Sequence, residues 1–421
     1  MTPSGPAELV SGVRIDETTK GFPTFDRPVP ILEVEDQGWT IDDLAPPFCA
    51  LRRSALDHNL GLMAAYGVQR GIRLAPHGKV SMAPQLWRRQ LASGAWGMTA
   101  AGAGQARVMR AADISRVLIA NELVDPASIR WAVSDLADGN ELVCQVDSTV
   151  GVAALEEGLR DAGVGRPLPV LVELGHPSGR TGCRDLHSAM EVAANVERTD
   201  RLRLAGVTAY EGTLADDRRP ASLANVRAFL DELHGVGEAL FERFPIYGTP
   251  IVSAGGSMFF DVAAEVLSGG WAGAIEVLIR PGCYLTHDTG LYAASSPFEA
   301  APPEARFRSA IEVWGVVLSR PEHDLAIVGL GRRDVPFDQD YPRPLLVRRG
   351  LEEMWSIDGF ADVTGLNDQH AYCCVSGDVS LEVGDLIMFG ISHPCSAFDR
   401  WRVIAELDDD DRVVGAIATF F

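Results

Sequence analysis

The chain has no surplus of basic residues: 37 Lys and Arg stand against 58 Asp and Glu, a formal net charge of −21 over 421 residues. That balance argues against nucleic acid as a partner, since there is no basic surplus to meet a phosphate backbone, and against an anionic membrane surface as well. There is no apolar run of about 18 residues and no basic-then-apolar leader, so neither a spanning helix nor a secretory signal is expected. Cysteine is sparse and odd in number, with seven at positions 49, 144, 183, 283, 373, 374 and 395, mostly inside apolar runs. Such a set reads as reduced thiols, and the expectation is a soluble, cytoplasmic protein. No internal repeat is present. Any anionic ligand must be held by a local cradle and not by the overall field.

What is present is an ordinary globular composition, 47% apolar and 23% charged, on a chain long enough for two or three domains. Residues 1–47 are rich in Pro, Gly and acid. They read as an arm that packs on the later β-domain, with one strand expected at Pro30–Val34. From 48 to 294, apolar strand-like runs recur near Ile72–Ala75, Trp96–Ala100, Val117–Ala120, Leu142–Val146, Pro169–Leu174, Leu204–Ala209, Pro250–Ala254 and Ala274–Ile279. Alanine-rich stretches of helical period lie between them. Eight strands alternating with helices over about 230 residues predict an α/β fold, a (β/α)8 TIM-type barrel; a doubly wound open sheet is the competing arrangement. A Ser, Pro and Ala linker at 295–306 follows. Residues 307–421 alternate without helical period and predict a C-terminal all-β domain, with Asp334–Arg349 read as a Pro/Arg-rich loop.

A barrel of this kind places its chemistry at the C-terminal ends of its strands. The first run stops at Pro76, which has no N–H to continue a ladder, and leads into His77-Gly78-Lys79. A partly desolvated lysine there can form a Schiff base with an aldehyde. The fifth run, VLVELGHPSGRTGC, ends in glycines around Arg180, and the sixth ends in Tyr210-Glu211-Gly212. The seventh ends in Gly255-Gly256-Ser257 ahead of a helix, where small residues with unhindered N–H groups can cradle a phosphate. The eighth is followed by Arg280-Pro281-Gly282-Cys283-Tyr284. A lysine, an arginine and a phosphate cup in that order along one barrel would bind pyridoxal 5'-phosphate. Lys79 would hold the aldehyde, Arg180 would face the phenolic oxygen, and Gly255, Gly256 and Ser257 would hold the phosphate. His77, His176, Glu211, His287 and Asp288 also fall near the expected mouth and read as supporting residues.

A second motif has its own chemistry. His393-Pro394-Cys395 sets an imidazole and a thiol two residues apart, and an extended segment would point both to one side. Nitrogen and sulfur donors favour zinc over magnesium or calcium, and two protein ligands leave positions open for substrate. Asp399 or a barrel residue could add a further ligand. The four aspartates at 408–411 read as a solvated turn.

The stretches PHGKV, LVELGHPSGRTGC, VSAGGS, IRPGCY and VGDLIMFGISHPC together resemble the alanine-racemase-like (fold type III) pyridoxal-phosphate enzymes, most closely the D-serine dehydratase and D-threonine aldolase branch. The resemblance runs from about Phe48 to Phe421. It implies Lys79 as the catalytic and cofactor lysine, with Arg180, Tyr210, Gly255, Gly256, Ser257 and Tyr284 binding the cofactor. It implies His393 and Cys395 as catalytic ligands of a divalent metal, expected to be zinc, and a homodimer. The activity implied is dehydration and deamination of a D-3-hydroxy amino acid, D-serine or D-threonine, to a 2-oxo acid and ammonia. Retro-aldol cleavage to glycine and an aldehyde, as in D-threonine aldolase, is the alternative; a non-catalytic pyridoxal-phosphate-binding protein is the alternative of another class. Two departures bear on the substrate: HGKVSM lacks the second His or Lys usual in this branch, and SAFDRW stands where a Thr-Val-Asn run is usual.

Overall fold

The computed structural model describes residues 8–23, 27–161, 165–350, 353–377 and 379–421. The chain divides into two compact units: one of residues 63–79 and 89–282, the other of residues 1–62, 80–88 and 283–421.

The first unit contains the eight expected strands, Arg73–Leu74, Met98–Ala100, Arg116–Glu122, Glu141–Val146, Leu168–Leu174, Leu202–Ala209, Ile251–Ala254 and Glu276–Ile279, in one parallel sheet. The strand order is sequential apart from the first strand, which lies beside the eighth. A parallel bridge between His77 and Thr99, with Trp96 N–H donating to the Leu74 carbonyl at 2.7 Å, joins the first strand to the second. The barrel thus closes and leaves no edge to pair with another chain. Its floor is one layer of Ala75, Trp96, Leu118, Val143, Leu171, Ala205, Ile251 and Leu278, one from each strand or its flank.

Strand side chains alternate between two faces, so residues two apart share the interior. Counting from the floor toward the C-terminal mouth, Leu118 is followed by Ala120 and Glu122, Val143 by Gln145 and Asp147, Leu171 by Glu173, Ile251 by Ser253, and Leu278 by Arg280. The interior is apolar at its base and charged at its mouth. Two register shifts occur in the sheet, one where Ile119–Glu122 opposes Cys144–Gln145, which leaves Glu122 in inward phase, and one where Val170–Leu171 opposes Leu204–Gly206. At the second, the extra residue switches phase, so Thr208 turns inward and meets Gln145 and Arg280.

The second unit is built on antiparallel strands in the order Glu353–Ser356, Arg343–Arg349, Leu386–Gly390, Ile311–Glu322, Leu325–Val328, Ala371–Val375 and Ala361–Leu366. Phe48–Arg52, at the position read as the start of the barrel, instead pairs with Ile311–Glu322 and with Val403–Leu407. An apolar FCALR run marks a buried strand without saying which sheet takes it. The arm packs here as well: Val10, Ile15, Phe22, Val34 and Ile41 share a core with Phe48, Trp314, Val403 and Val413.

Three sequence expectations need correction. Pro30–Val34 is a strand only at Val29–Pro30 and turns at once into a 3₁₀ helix, Ile31–Glu33, because Pro30 offers no N–H to extend the ladder. The loop read at Asp334–Arg349 ends in the strand Arg343–Arg349, whose basic residues obscured its alternation. Two of those arginines are neutralised locally, Arg348 by Asp42 and Asp411 and Arg349 by Asp385. The 408–411 aspartates do form a turn, but Asp411 is no bystander: it accepts from Arg52 at 2.6 Å and from Arg348 at 3.0 Å. Among the described residues no helix is long and apolar enough to cross a membrane.

The second register shift depends on Gly206. A Cβ there would sit 1.8 Å from the Ile251 carbonyl oxygen on the next strand. Gly206→Ala should therefore destabilise the protein by about 3 kcal/mol, the upper range for overpacking a core. Denaturant unfolding of the two proteins measures this, and equal midpoints would show that the barrel tolerates the added methyl.

Candidate active site and metal centre

The first barrel strand gives way at Pro76 to a single 3₁₀ turn, Gly78–Val80, which carries Lys79. The cavity at the barrel mouth is lined by His77, Lys79, Glu173, Arg180, Tyr210, Gly256 and Arg280, among others. The lysine, arginine, tyrosine and glycine expected from separate strand ends thus share one pocket. Arg180 lies 4.5 Å above the Tyr210 ring centroid, a cation–π contact that fixes the direction of its guanidinium. The ring nitrogen His77 Nδ1 is buried without a hydrogen-bond partner. Burial, and then the positive charges of Lys79, Arg280 and Arg180, hold the His77 pKa well below the usual imidazole range. The imidazole is neutral.

Arg280 is fully enclosed. Its guanidinium donates to Thr208 Oγ1 at 3.0 Å, to the Ala209 carbonyl at 2.7 Å and to Ser253 Oγ. Burial lowers its pKa, and the negative charges of Glu211 and Glu173 oppose that fall.

Gly255 and Gly256 sit at the end of the seventh strand, with Gly255 at φ +85°, a conformation that favours glycine. Their N–H groups donate to the two oxygens of Glu211 at 3.0 and 2.6 Å. Two adjacent N–H groups converging on one carboxylate make an anion seat, and the donor set suits a phosphate. Here Glu211 takes those donors, so a phosphate would compete with it for the turn. Ser257 Oγ accepts from Gly282 N–H at 3.2 Å. His176 bonds to Thr213 and packs edge-on to Phe229. Tyr284 belongs to the other unit, where its ring packs 6.1 Å from that of Phe307.

An acidic group at the mouth escaped the sequence reading. Glu122, Asp147 and Glu173 hold carboxylate oxygens within 4.8 Å of one another. Their inward phase on consecutive strands was the available signal. Asp147 Oδ2 accepts from Gly182 N–H at 3.0 Å. Burial, then the neighbouring Glu173, push the Glu122 carboxyl up to about 9, so Glu122 carries a proton at neutral pH. A carboxyl whose pKa is raised on folding stabilises the fold most below the ordinary carboxylate value of 4.5, and that contribution drains as pH climbs toward 9. The thermal midpoint should decline over this window, and Glu122→Gln should flatten the decline. Identical slopes for the two proteins would remove Glu122 as its source.

The second unit places His393 and Cys395 together, by a route other than the expected one. The segment is not extended: His393 is left-handed at φ +73°, and Pro394–Ser396 is a 3₁₀ turn. A proline in the first position suits such a turn. The buried Asp288 pins this backbone by accepting from His393 N–H at 2.9 Å and from the N–H groups of Gly290, Tyr292 and Ala293. His393 Nδ1 meets Asp338 Oδ2 at 2.5 Å, and Ser396 Oγ donates to the other oxygen of Asp338. A hydrogen bond to Cys395, with Asp338 adding to it, raises the His393 pKa to about 9. Asp338 lies in the stretch read as a loop, and nothing in its spacing marks it. Asp399 pairs with Arg400 at 2.9 Å. His287, nearby in the chain, is pushed down to about 4 by burial alone. An imidazole beside a thiol, with a carboxylate on its Nδ1, suits a borderline-soft divalent metal such as zinc.

Comparison with known proteins agrees with this geometry. Residues 51–257 match the alanine racemase N-terminal domain, and residues 310–406 match a putative serine dehydratase domain. A D-threonine aldolase from Arthrobacter sp. is 24% identical over 357 residues, covering 84% of this chain and 86% of the relative. The solved D-threonine aldolase of Filomicrobium marinum superposes with a TM-score of 0.77 at 26% identity, over 91% of this chain and 96% of that one. The D-threo-3-hydroxyaspartate dehydratase of Delftia sp. HT23 shares the fold, with a TM-score of 0.72 at 20% identity over 90% and 99% of the two chains. With both domains matched in order and a lysine, an arginine and an anion seat in one barrel mouth, the chain belongs to the alanine-racemase-like (fold type III) pyridoxal-phosphate enzymes, in the D-serine dehydratase and D-threonine aldolase branch, and is a pyridoxal-phosphate-dependent lyase.

Proposed function

We propose that the protein eliminates the 3-hydroxyl of a D-3-hydroxy amino acid, D-serine or D-threonine, releasing a 2-oxo acid and ammonia. The observation that carries the cofactor half of this reading is the shared pocket of Lys79, Arg180, Tyr210 and Gly256. Bound there, pyridoxal phosphate supplies an electron sink for the charge left when the α-proton departs. Lys79 would hold the aldehyde, and its amine would serve as the base that takes the α-proton. Arg180, directed by Tyr210, would face the phenolic oxygen. The neutral His77 supplies hydrogen-bonding capacity beside Lys79 without another positive charge.

For the metal half, His393 and Cys395 would hold a divalent ion, with Asp338 orienting the imidazole. The ion supplies a Lewis acid that helps the hydroxyl leave. Support comes from the serine-dehydratase match over 310–406 and from a related D-threo-3-hydroxyaspartate dehydratase solved as a cysteine-to-alanine mutant in the metal-free form. A thiolate ligand favours zinc, a strong Lewis acid suited to a departing hydroxide. Retro-aldol cleavage stands as a second reading, because the Arthrobacter relative is named an aldolase and so is a Paracoccus denitrificans relative, a 3-hydroxy-D-aspartate aldolase.

Purified protein should absorb in the visible, and borohydride should fix a pyridoxyl group on Lys79, as peptide mass mapping would show. A label on another lysine would remove Lys79 from its role. With D-threonine as substrate, elimination gives 2-oxobutanoate and ammonia, whereas cleavage gives glycine and acetaldehyde. The expected main product is 2-oxobutanoate. Glycine in its place would convert the reading to an aldolase and leave the cofactor site untouched.

A further inference from the structure

We propose that Cys283 is a third protein ligand of the metal held by His393 and Cys395. The inference rests on the metal reading given above and adds a donor to it. Cys283 is the fourth residue past the eighth barrel strand, far from the His-Pro-Cys turn in sequence, yet its Sγ lies 3.4 Å from Cys395 Sγ. Two thiolates on one tetrahedral zinc, each at about 2.3 Å, stand about 3.8 Å apart. The observed separation is therefore within a few tenths of an ångström of shared coordination.

The neighbouring carboxylates are already committed. Asp288 accepts four backbone N–H groups, Asp338 bonds His393 and Ser396, and Asp399 pairs with Arg400. Asp338 on Nδ1 leaves Nε2 of His393 for the ion, the usual carboxylate–histidine pairing around a metal. Cys283 itself is only 2% exposed, so its thiol is turned inward onto Cys395 and not toward solvent. Among the described residues, only Glu122, Asp147 and Glu173 have ligand atoms all within 4.8 Å of one another. The His393, Cys395 and Cys283 donors are therefore looser than that trio, and the ion would draw them together. Three protein ligands leave one tetrahedral position for substrate, the pattern of catalytic rather than structural zinc.

The test uses the full chain loaded with pyridoxal phosphate and zinc. X-ray absorption at the zinc edge should count two sulfur neighbours at about 2.3 Å. One sulfur would overturn the role of Cys283 while keeping that of Cys395. No sulfur, or no zinc retained, would overturn both this inference and the metal reading beneath it. Cys283→Ser, checked for cofactor loading as a sign of correct folding, should bind cobalt at least about tenfold more weakly. It should also lose about half of the sulfur-to-cobalt charge-transfer band. A variant with wild-type affinity and an undiminished band would count against Cys283 as decisively as a single sulfur in the native protein.

Discussion

The burial of Arg280 is the constraint on which the barrel mouth depends. A guanidinium withdrawn from water is costly unless every donor is met and opposite charge lies near. Here the eighth strand puts it in the interior one step above the floor residue Leu278. Thr208, Ser253 and the Ala209 carbonyl take its donors, and Glu211 and Glu173 supply the field. Thr208 can serve only because the register shift at Gly206 turned it inward, so a backbone irregularity and a buried charge presuppose each other. Glu211 in turn ties down the Gly255–Gly256 turn. Removing the arginine would take a donor from buried acceptors on two strands, Leu202–Ala209 and Ile251–Ala254.

Asp288 has a comparable place in the other unit. Among the described residues no cation pairs with it; burial raises its pKa, and four backbone N–H groups oppose the rise. One of those groups belongs to His393, a residue in a left-handed conformation that costs free energy unless its surroundings hold it there. The carboxylate that stabilises this turn is thus what presents the imidazole to Cys395. The Asp338–His393 contact then sets the direction of the ring.

Much of this was legible in the residues. All eight barrel strands stand at apolar runs, most of them stopping at Gly, Pro or charge, because buried parallel strands carry no polar face to confuse the pattern. Lys79, Arg180, Tyr210 and Gly256 were locatable for the same reason: strand ends are where a barrel displays function. What was hidden depended on partners distant in the chain. FCALR at 48–52 reads as a strand with no indication of its sheet. Arg343–Arg349 reads as a loop until Asp42, Asp385 and Asp411 are seen neutralising it. Glu122, Asp147 and Glu173 lie on three successive strands, and only strand phase connects them. The His-Pro-Cys pair was found by spacing, although the extended geometry assumed for it was replaced by a turn.

Formal charge at the mouth explains why backbone groups must do so much of the binding. With Glu122 protonated, Asp147, Glu173 and Glu211 balance Lys79, Arg180 and Arg280. No net positive charge is left for a phosphate, and the whole chain, at −21, offers none from afar. A phosphate there must draw on fixed N–H dipoles, and the Gly255–Gly256 turn provides two. Glu211 already accepts from them, so a phosphate on this seat would compete with that carboxylate. The charge of Glu211 also acts on Arg280, a buried cation of the pocket. The anion seat, the buried arginine and the protonated Glu122 therefore form one electrostatic unit, and a change at any of them alters the charge balance that the other two must meet.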